Sequence, residues 1–184
     1  MPFDPGTLPA SALQTLLESH SLVLVDEKNG QLRETTSAIL IDASPKEVEK
    51  VVRDFASYQE WMPQVSRSQV VGGKGGATDA EFTLSFRFSV FSKSVRYTLR
   101  YKDGGEGLTW SLVSGDFSEN RGAYRWLPVD KGKRTAFFYS FYVDLASMGS
   151  MIRFAFKSTP QLEVAIASST AVVVARAIKA RVEG

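Results

Sequence analysis

The sequence predicts an α+β domain in which a curved antiparallel sheet wraps around a long C-terminal helix. Between residues 65 and 144, apolar and polar residues alternate with the period of two that is typical of β-strands. From Met148 to about Val182 the apolar residues recur at helical spacing instead. The chain has 184 residues, 43% of them hydrophobic, which is enough for a substantial core in one domain. Strands followed by one long helix favour a sheet whose face is covered by that helix.

The first thirty residues are expected to form an N-terminal extension that consists of a helix and a strand. Three leucines fall on one face of a helix that follows Pro9, a residue suited to a first helical turn. A strand from Ser21 to Asp26 comes next, and Asn29-Gly30 predicts a two-residue hairpin turn. The main domain is then expected to span residues 31–184 and to begin with the returning strand, Gln31 to Asp42.

A short central helix is predicted by the clearest local signal in the chain. Ser44 is suited to the N-cap and Pro45 to the first helical position, while Glu47 completes a capping box. Apolar residues then recur at helical spacing, and they are Val48, Val51, Val52 and Phe55. We expect this helix to cover one end of the sheet.

About five antiparallel strands are expected between residues 65 and 144. In each of the first strands, large apolar residues occupy alternate positions, and glycines or charged residues mark the turns between them. The last strand, Thr135 to Asp144, is apolar on both faces. This pattern predicts a central strand that is covered on both sides.

The C-terminal helix is expected to be kinked at Pro160, because a proline ring displaces a carbonyl one turn back. Its charged residues form one stripe towards solvent. An apolar stripe is formed by Leu162, Ile166, Val173 and Ala177. The most membrane-like stretch, Leu162 to Ala175, is shorter than the ~20 apolar residues that cross a bilayer. The sequence therefore predicts a buried helix and no stable membrane insertion.

The composition argues against several classes of function. The 22 basic and 20 acidic residues leave a net charge of only +2, so nucleic-acid binding has no electrostatic support. The chain has no cysteine and one histidine, and we expect no disulfide, no metal site and no cofactor. The first fifteen residues lack a basic segment and a long apolar run, so no secretory signal is predicted. A cytoplasmic location is the simplest expectation.

A helix that is gripped by a twisted sheet encloses space at its centre. In this sequence, phenylalanine, tyrosine and tryptophan would line much of that space. Apolar, concave and largely preformed cavities with a few polar groups are typical of small-molecule sites. The pattern therefore predicts a small hydrophobic ligand as the partner.

The central helix and the turn after it carry a resemblance to a known family. The residues concerned run from Ile39 to Val48 and from Val52 to Pro63, where the sequence contains the pattern DF-x-x-Y-x-x-W-x-P. Through these residues the chain resembles the START-like superfamily. This superfamily includes the polyketide cyclase and lipid-transfer proteins as well as the coenzyme Q-binding proteins. The resemblance implies a helix-grip fold with a hydrophobic cavity that carries, senses or presents a lipid or an aromatic polyketide. It also implies that Trp61 lies at the rim of the cavity.

The remaining cavity residues are predicted from alternation, which groups residues by face without saying which face is inward. The expected ligand-binding residues on the strands are Phe82, Leu84, Phe86, Tyr97, Leu99, Trp110, Tyr124, Trp126, Phe138 and Tyr142. The expected ligand-binding residues on the helix are Met151, Leu162 and Ile166.

Two other functions stay open at this point. A polyketide cyclase or aromatase would need an acid or base inside the cavity, but the one histidine, His20, lies outside the resembling region. Asp144 and Arg87 are expected to be solvated, or paired with each other or with Arg96 and Arg100, so no catalytic residue is predicted. A protein-interaction module of the ribosome-associating type would show a contiguous exposed apolar or basic patch. An ionisable side chain in the cavity would favour the enzyme.

Overall fold

The computed structural model describes residues 7–18, 20–88, 91–105 and 107–184, except for the side chains of residues 86–88, 91 and 92. Its helices are α1 (Ala10–Glu18), α2 (Pro45–Arg53), α3 (Tyr58–Trp61), α4 (Ser150–Ser158) and α5 (Gln161–Glu183). Its strands are β1 (Leu22–Lys28), β2 (Gln31–Ile41), β3 (Val65–Gly72), β4 (Thr78–Phe88), β5 (Phe91–Asp103), β6 (Gly107–Gly115), β7 (Asn120–Val129) and β8 (Arg134–Val143).

The eight strands form one antiparallel sheet in the order β1-β2-β8-β7-β6-β5-β4-β3. The predicted fold class is confirmed, since a curved antiparallel sheet holds the C-terminal helix against one face. Six strands, one more than expected, lie between residues 65 and 144. The predicted hairpin is also present, because Asn29 and Gly30 both have positive φ angles, as a two-residue turn of this kind requires.

The outer face of the sheet is covered in part by α1. Leu13 and Leu17 are buried there against Ala38, Leu40 and Phe138 of the two adjacent strands β2 and β8. Because β8 is also covered on its inner face, its apolar residues are buried on both sides, as the sequence predicts for a central strand.

The central helix α2 begins where the capping box predicts. The backbone N–H and the hydroxyl of Ser44 both donate to the Glu47 carboxylate, at 2.8 and 2.7 Å. Val48 and Val52 are fully buried on the apolar face of the helix. A 3₁₀ turn, Phe55–Ser57, then leads into the single turn of α3. Together these segments close one end of the space between the sheet and α5.

The C-terminal segment forms two separate helices, whereas the sequence predicts one helix with a kink at Pro160. A 3₁₀ turn, Leu145–Met148, precedes α4, and the extended backbone of Thr159 separates α4 from α5. Pro160 occupies the N-cap position of α5 rather than a kink inside one helix. Proline suits this position because the first turn of a helix needs no N–H donor there.

The apolar stripe predicted for this helix is not the one that is buried. Leu162, Ile166 and Val173 are exposed to solvent. The buried stripe is formed by Ala167, Ala171, Ala175 and Ile178. Small side chains at successive turns let the helix backbone approach the sheet, and the Ser37 hydroxyl of β2 donates to the Ala171 carbonyl at 2.8 Å.

By length and composition alone, α5 would also be long and apolar enough to cross a membrane. In the structure it packs across the inner face of the sheet, where it contacts β1, β2 and β8. A core helix of a globular domain meets the same length and composition criteria.

Candidate functional site

An inner cavity of about 120 Å³ lies between the concave face of the sheet and α5. Strands β3 to β8, the α3 turn and α5 all contribute side chains to its wall. From α5 the contributing residues are Thr170 and Val174, while Met62 contributes from the turn after α3. The cavity therefore lies where the sequence predicts space between a helix and a twisted sheet.

Five tyrosines dominate the wall of the inner cavity, and they are Tyr58, Tyr97, Tyr101, Tyr124 and Tyr139. Their rings pack against one another and against Phe82 and Trp110. Ring centroids lie 4.8 Å apart for Trp110 and Tyr124 and 5.4 Å apart for Tyr124 and Tyr139. Aromatic pairs at such distances in tilted or offset geometry attract each other beyond their buried area. The wall is therefore a connected aromatic surface that carries hydroxyl groups.

Burial is the largest influence on the pKa of these tyrosines. It raises the pKa of all five hydroxyls above the ordinary value of 10.0, because a buried phenolate loses its hydration. Interactions among the tyrosines raise the pKa further for Tyr58, Tyr97, Tyr101 and Tyr139. All five therefore stay protonated at neutral pH and can each donate one hydrogen bond.

One tyrosine hydroxyl in the cavity has its hydrogen-bond partner in the protein. The Tyr58 hydroxyl donates to the Val52 carbonyl at 2.7 Å, which ties the α3 turn to the end of α2. On the other side of the cavity, the indole N–H of Trp110 donates to Asn120 Oδ1 at 3.0 Å.

Among the described residues, no aspartate, glutamate, histidine, lysine or arginine lines the inner cavity. Its polar groups besides the tyrosine hydroxyls come from Gln64, Asn120 and Thr170. A carboxylate inside this wall would lack a cation to compensate its lost hydration. The lining is thus suited to a neutral molecule with hydrogen-bond acceptors.

The DF-x-x-Y-x-x-W-x-P motif builds one end of the cavity. Phe55 stacks on Tyr101 with ring centroids 4.1 Å apart, and Trp61 packs edge-on against Tyr58 at 5.0 Å. The Ser68 hydroxyl of β3 accepts from the backbone N–H of Gln59 at 2.9 Å and donates to the Ala56 carbonyl. These contacts hold the turn on the edge of the sheet and fix the orientation of the Tyr58 ring.

A glycine makes room for the indole of Trp110. Gly122 faces Trp110 across β6 and β7. A Cβ atom at this position would lie 2.3 Å from the Trp110 ring and 2.3 Å from the Ser140 carbonyl oxygen. Only glycine fits here without a shift of the ring that forms the cavity wall.

A second, apolar cavity of about 580 Å³ lies farther along α5. The 3₁₀ turn Leu145–Met148, α4 and the first turns of α5 form its wall, together with Lys93 of β5. Leu162 and Ile166 of α5 line it, and the next residues on the same side of the helix, Thr170 and Val174, line the inner cavity. The two cavities therefore follow one another along a single helix.

The structure distributes the predicted site residues over several places. Those that line the inner cavity are Phe82, Leu84, Tyr97, Leu99, Trp110 and Tyr124. Those that line the second cavity are Met151, Leu162 and Ile166. Trp61 is half-buried beside Tyr58, with its indole N–H donating to the Ser57 hydroxyl, and Trp126 is buried in the core beyond the cavity. The side chain of Phe86 lies outside the described residues.

Two residues of β8 correct the prediction from alternation. Phe138 belongs to the outer cluster under α1, and Tyr142 is half-buried with the Arg121 guanidinium 5.0 Å from its ring centre. Neither lines a described cavity. The strand is apolar on both faces, so its sequence could not show that the odd-numbered Tyr139 is the inward one.

Sequence reasoning missed ten residues that line the inner cavity, and they are Tyr58, Met62, Pro63, Gln64, Val65, Tyr101, Asn120, Tyr139, Thr170 and Val174. The sequence did contain a signal for two of these residues, Tyr58 and Tyr101. Tyr58 is part of the motif, and Tyr101 alternates in phase with Tyr97 and Leu99, which were predicted.

The predicted charge pairs also differ from those observed. Arg100 forms a two-point hydrogen bond with Asp79 at 2.7 Å, and Arg96 pairs with Glu81 at 2.7 Å. Asp144 instead accepts a hydrogen bond from the Ser118 hydroxyl. Asp79 and Arg100 face each other directly across β4 and β5, and Glu81 and Arg96 are diagonal neighbours across the same two strands, which explains this choice. The Arg87 side chain lies outside the described residues.

The sequence profile of the family described as polyketide cyclase / dehydrase and lipid transport matches residues 33–182. No curated protein matches the sequence.

Among solved structures, the fold is similar to the protein TTHA0849 from Thermus thermophilus, with a TM-score of 0.66 and 17% identity over 82% of this chain and 97% of that one. A STAR-related lipid transfer protein from Xanthomonas axonopodis has a TM-score of 0.66 and 16% identity, with 90% and 95% of the chains covered. The ZhuI aromatase/cyclase from a Streptomyces species has a TM-score of 0.63 and 12% identity, with 82% and 93% covered. At these identities the likeness shows the fold alone.

Proposed function

The chain belongs to the polyketide cyclase / dehydrase and lipid transport family, and on this premise we propose that it binds and carries a small, neutral, hydrophobic ligand in the inner cavity. The family suggests either hydrophobic-ligand binding or polyketide cyclase-type activity. The observation that carries the proposal is the lining: five buried tyrosines, an aromatic wall and no charged side chain among the described residues.

The lining favours an aromatic ligand that carries carbonyl or ether oxygens. Protonated tyrosines donate hydrogen bonds to such acceptors, and flat rings stack on the aromatic wall. The cavity of about 120 Å³ is somewhat smaller than the roughly 150 Å³ engineered cavity that binds benzene, so it accommodates at most one aromatic ring. The second ring of a naphthoquinone, or the rest of a longer ligand, would extend towards the second cavity, which offers a largely apolar wall along the same helix.

The same lining favours a ligand carrier over an enzyme that works by acid–base catalysis. A cyclase needs a group whose pKa lies near the working pH, so that it can take up and release a proton. Burial raises the pKa of the five tyrosines away from neutrality, which leaves them as hydrogen-bond donors. Quinones and other carbonyl-bearing rings would be bound without being transformed.

The first test is native mass spectrometry of the purified protein, followed by extraction and identification of bound molecules. A binding assay then compares naphthoquinone, which is neutral, with palmitate, which is charged. We expect naphthoquinone to bind and the Tyr124→Phe variant to bind it about 5- to 10-fold more weakly, because one hydrogen bond is lost. Tyr142→Phe, outside the cavity, is the matched control and should bind as the unmodified protein does.

Two results would overturn the proposal. One is a protein that is isolated empty and takes up neither probe. The other is tighter binding of palmitate than of naphthoquinone. That result would show that the inner cavity accepts a carboxylate although no cationic side chain in the described lining compensates its charge.

A further inference from the structure

Helix α4 presents two large apolar side chains to solvent. Met151 is 80% exposed and Phe154 is 72% exposed, the highest values among the large hydrophobic residues that the structure describes. They are three residues apart, so they lie next to each other on one face of the helix. The next most exposed is Val70 of β3, at 53%.

The opposite side of α4 is apolar as well. Ile152, Ala155 and Phe156 line the second cavity, and Phe156 is buried. A surface helix of a globular protein usually has one apolar stripe, with polar residues on the solvent side. In α4 the inward stripe accounts for the packing of the helix, while Met151, at the edge of the second cavity, and Phe154 stay exposed to solvent.

The charges on α4 have a single sign. Arg153 and Lys157 are exposed on this helix, and the segment Ser150–Ser158 contains no acidic residue. The nearest acids in the sequence, Asp144 and Glu163, lie beyond its two ends. Within the described part of the chain, Arg153 and Lys157 form no ion pair. Lys93 adds a third cation nearby, where its Nζ donates to the Met148 carbonyl at 2.5 Å.

We propose that α4 is a docking surface for an anionic phospholipid bilayer. Met151 and Phe154 enter the boundary between headgroups and acyl chains, while Arg153 and Lys157 contact lipid phosphates. Helices with bulky apolar side chains beside lysine and arginine bind membranes in this way, through apolar burial and attraction to anionic lipids. Two side chains are too few for the roughly 800 Å² per partner that a stable protein interface buries, so a second copy fits this surface poorly.

Docking in this orientation would place the second cavity beside the bilayer. Its wall includes Met151 and Ile152 of α4 and Leu162 of α5. A hydrophobic ligand could then leave the membrane without crossing water. The docking itself does not depend on the proposed carrier function, because it is measured with protein that has no ligand added.

The test is flotation of the purified protein with vesicles of phosphatidylcholine alone or with added phosphatidylglycerol. We expect binding to the anionic vesicles, weaker binding as salt is raised, and little binding to phosphatidylcholine alone. The double variant Met151→Ser/Phe154→Ser should lower the partition coefficient by at least about tenfold, because two apolar side chains no longer enter the bilayer. Arg153→Gln/Lys157→Gln should remove most of the preference for anionic vesicles.

The matched control is Val70→Ser/Val71→Ser, which removes two exposed apolar side chains from β3, 53% and 49% exposed, away from α4. It should float as the unmodified protein does. Circular dichroism and thermal melting check that the variants fold, as expected for substitutions at exposed positions. Loading with naphthoquinone from detergent solution separates loss of docking from loss of ligand binding.

Three results would overturn the proposal. The protein could fail to float with anionic vesicles, or the α4 variants could float as well as the control. A concentration-dependent dimer that the Met151→Ser/Phe154→Ser change abolishes, without vesicle binding, would instead assign the surface to a second copy of the chain.

Discussion

Tyrosine is the residue that gives the inner cavity polarity without charge. Of the six tyrosines in the chain, five line this cavity, and Tyr142 lies elsewhere. A tyrosine ring packs like phenylalanine, while its hydroxyl needs a partner when buried. In Tyr58 that partner is the Val52 carbonyl. Hydroxyls that face the cavity are groups that a bound ligand can satisfy.

These tyrosines predict how stability depends on pH. Burial raises their pKa in the folded state above the ordinary value of 10.0, to which it returns on unfolding. Their contribution to the free energy of unfolding is therefore complete below pH 10 and is lost progressively as the pH rises above it. Urea unfolding at a series of alkaline pH values measures this loss. Tyrosinate absorbance that appears in the folded protein with an ordinary pKa would contradict the prediction.

Gly122 shows how one missing side chain shapes the site. We expect Gly122→Ala to displace the Trp110 ring and to lower the free energy of unfolding by about 1–3 kcal/mol, as overpacking in a core does. Tryptophan fluorescence and urea unfolding measure the two effects. Gly104→Ala is the control, since a Cβ there meets its nearest atom at 3.5 Å and has room. Equal stability of the two variants would contradict this account of Gly122.

At the scale of the elements, the contact between α5 and β2 determines the shape of the cavity. Ala167, Ala171 and Ala175 face the sheet at one-turn intervals and are buried. Larger side chains here would hold the helix away from β2 and break the hydrogen bond from Ser37 to the Ala171 carbonyl. Farther from β2, Val174 reaches the inner cavity. One face of α5 thus combines close packing with a cavity wall.

The substitution Ala171→Leu tests this close approach. We expect it to lower the free energy of unfolding by about 1–3 kcal/mol or more, because the added side chain must fit between two packed backbones. Val173→Leu, at an exposed position two residues along the same helix, should change stability by less than about 0.5 kcal/mol. Thermal and urea unfolding of both variants provide the comparison. A tolerated Ala171→Leu would show that α5 is held at a greater distance from the sheet.

At the scale of the whole molecule, the sheet is covered on both faces. The inner face packs on α5 and α2, and the outer face packs on α1 through Leu13 and Leu17. Strand β1 pairs with β2 along its length, so the first thirty residues contribute both an edge strand and a covering helix. These contacts suggest that the N-terminal extension unfolds together with the rest of the chain.

The contribution of α1 can be measured with two leucines of the same helix. Leu13 is 1% exposed, whereas Leu16 is 37% exposed. We expect Leu13→Ala to lower the free energy of unfolding of the whole chain by about 2–5 kcal/mol, and Leu16→Ala by less than about 1 kcal/mol. A single urea transition followed by both circular dichroism and tryptophan fluorescence would confirm one cooperative unit. Two separate transitions, with only the first one shifted, would contradict it.

Local signals in the sequence were sufficient to predict several helices and strands and some of the residues that line the inner cavity. The capping box placed the start of α2, Asn29-Gly30 placed the hairpin, and alternation grouped Phe82, Tyr97 and Leu99 on the cavity side. Each of these features depends on residues that are neighbours along the chain. The family resemblance also rested on one local segment, the motif that ends at Pro63.

The tertiary structure decided what depends on distant contacts. Alternation cannot tell Phe138 from Tyr139 in a strand that is apolar on both faces, and the choice came from α1 on one side and α5 on the other. Helical periodicity likewise favoured Leu162 and Ile166 as the buried stripe, whereas the close approach of β2 selected the alanines. Local sequence patterns were sufficient for the fold class and for the aromatic character of the cavity wall, whereas the absence of charged side chains from the described lining was seen only in the structure. Which face is inward was decided by packing partners more than a hundred residues apart, such as Ser37 and Ala171.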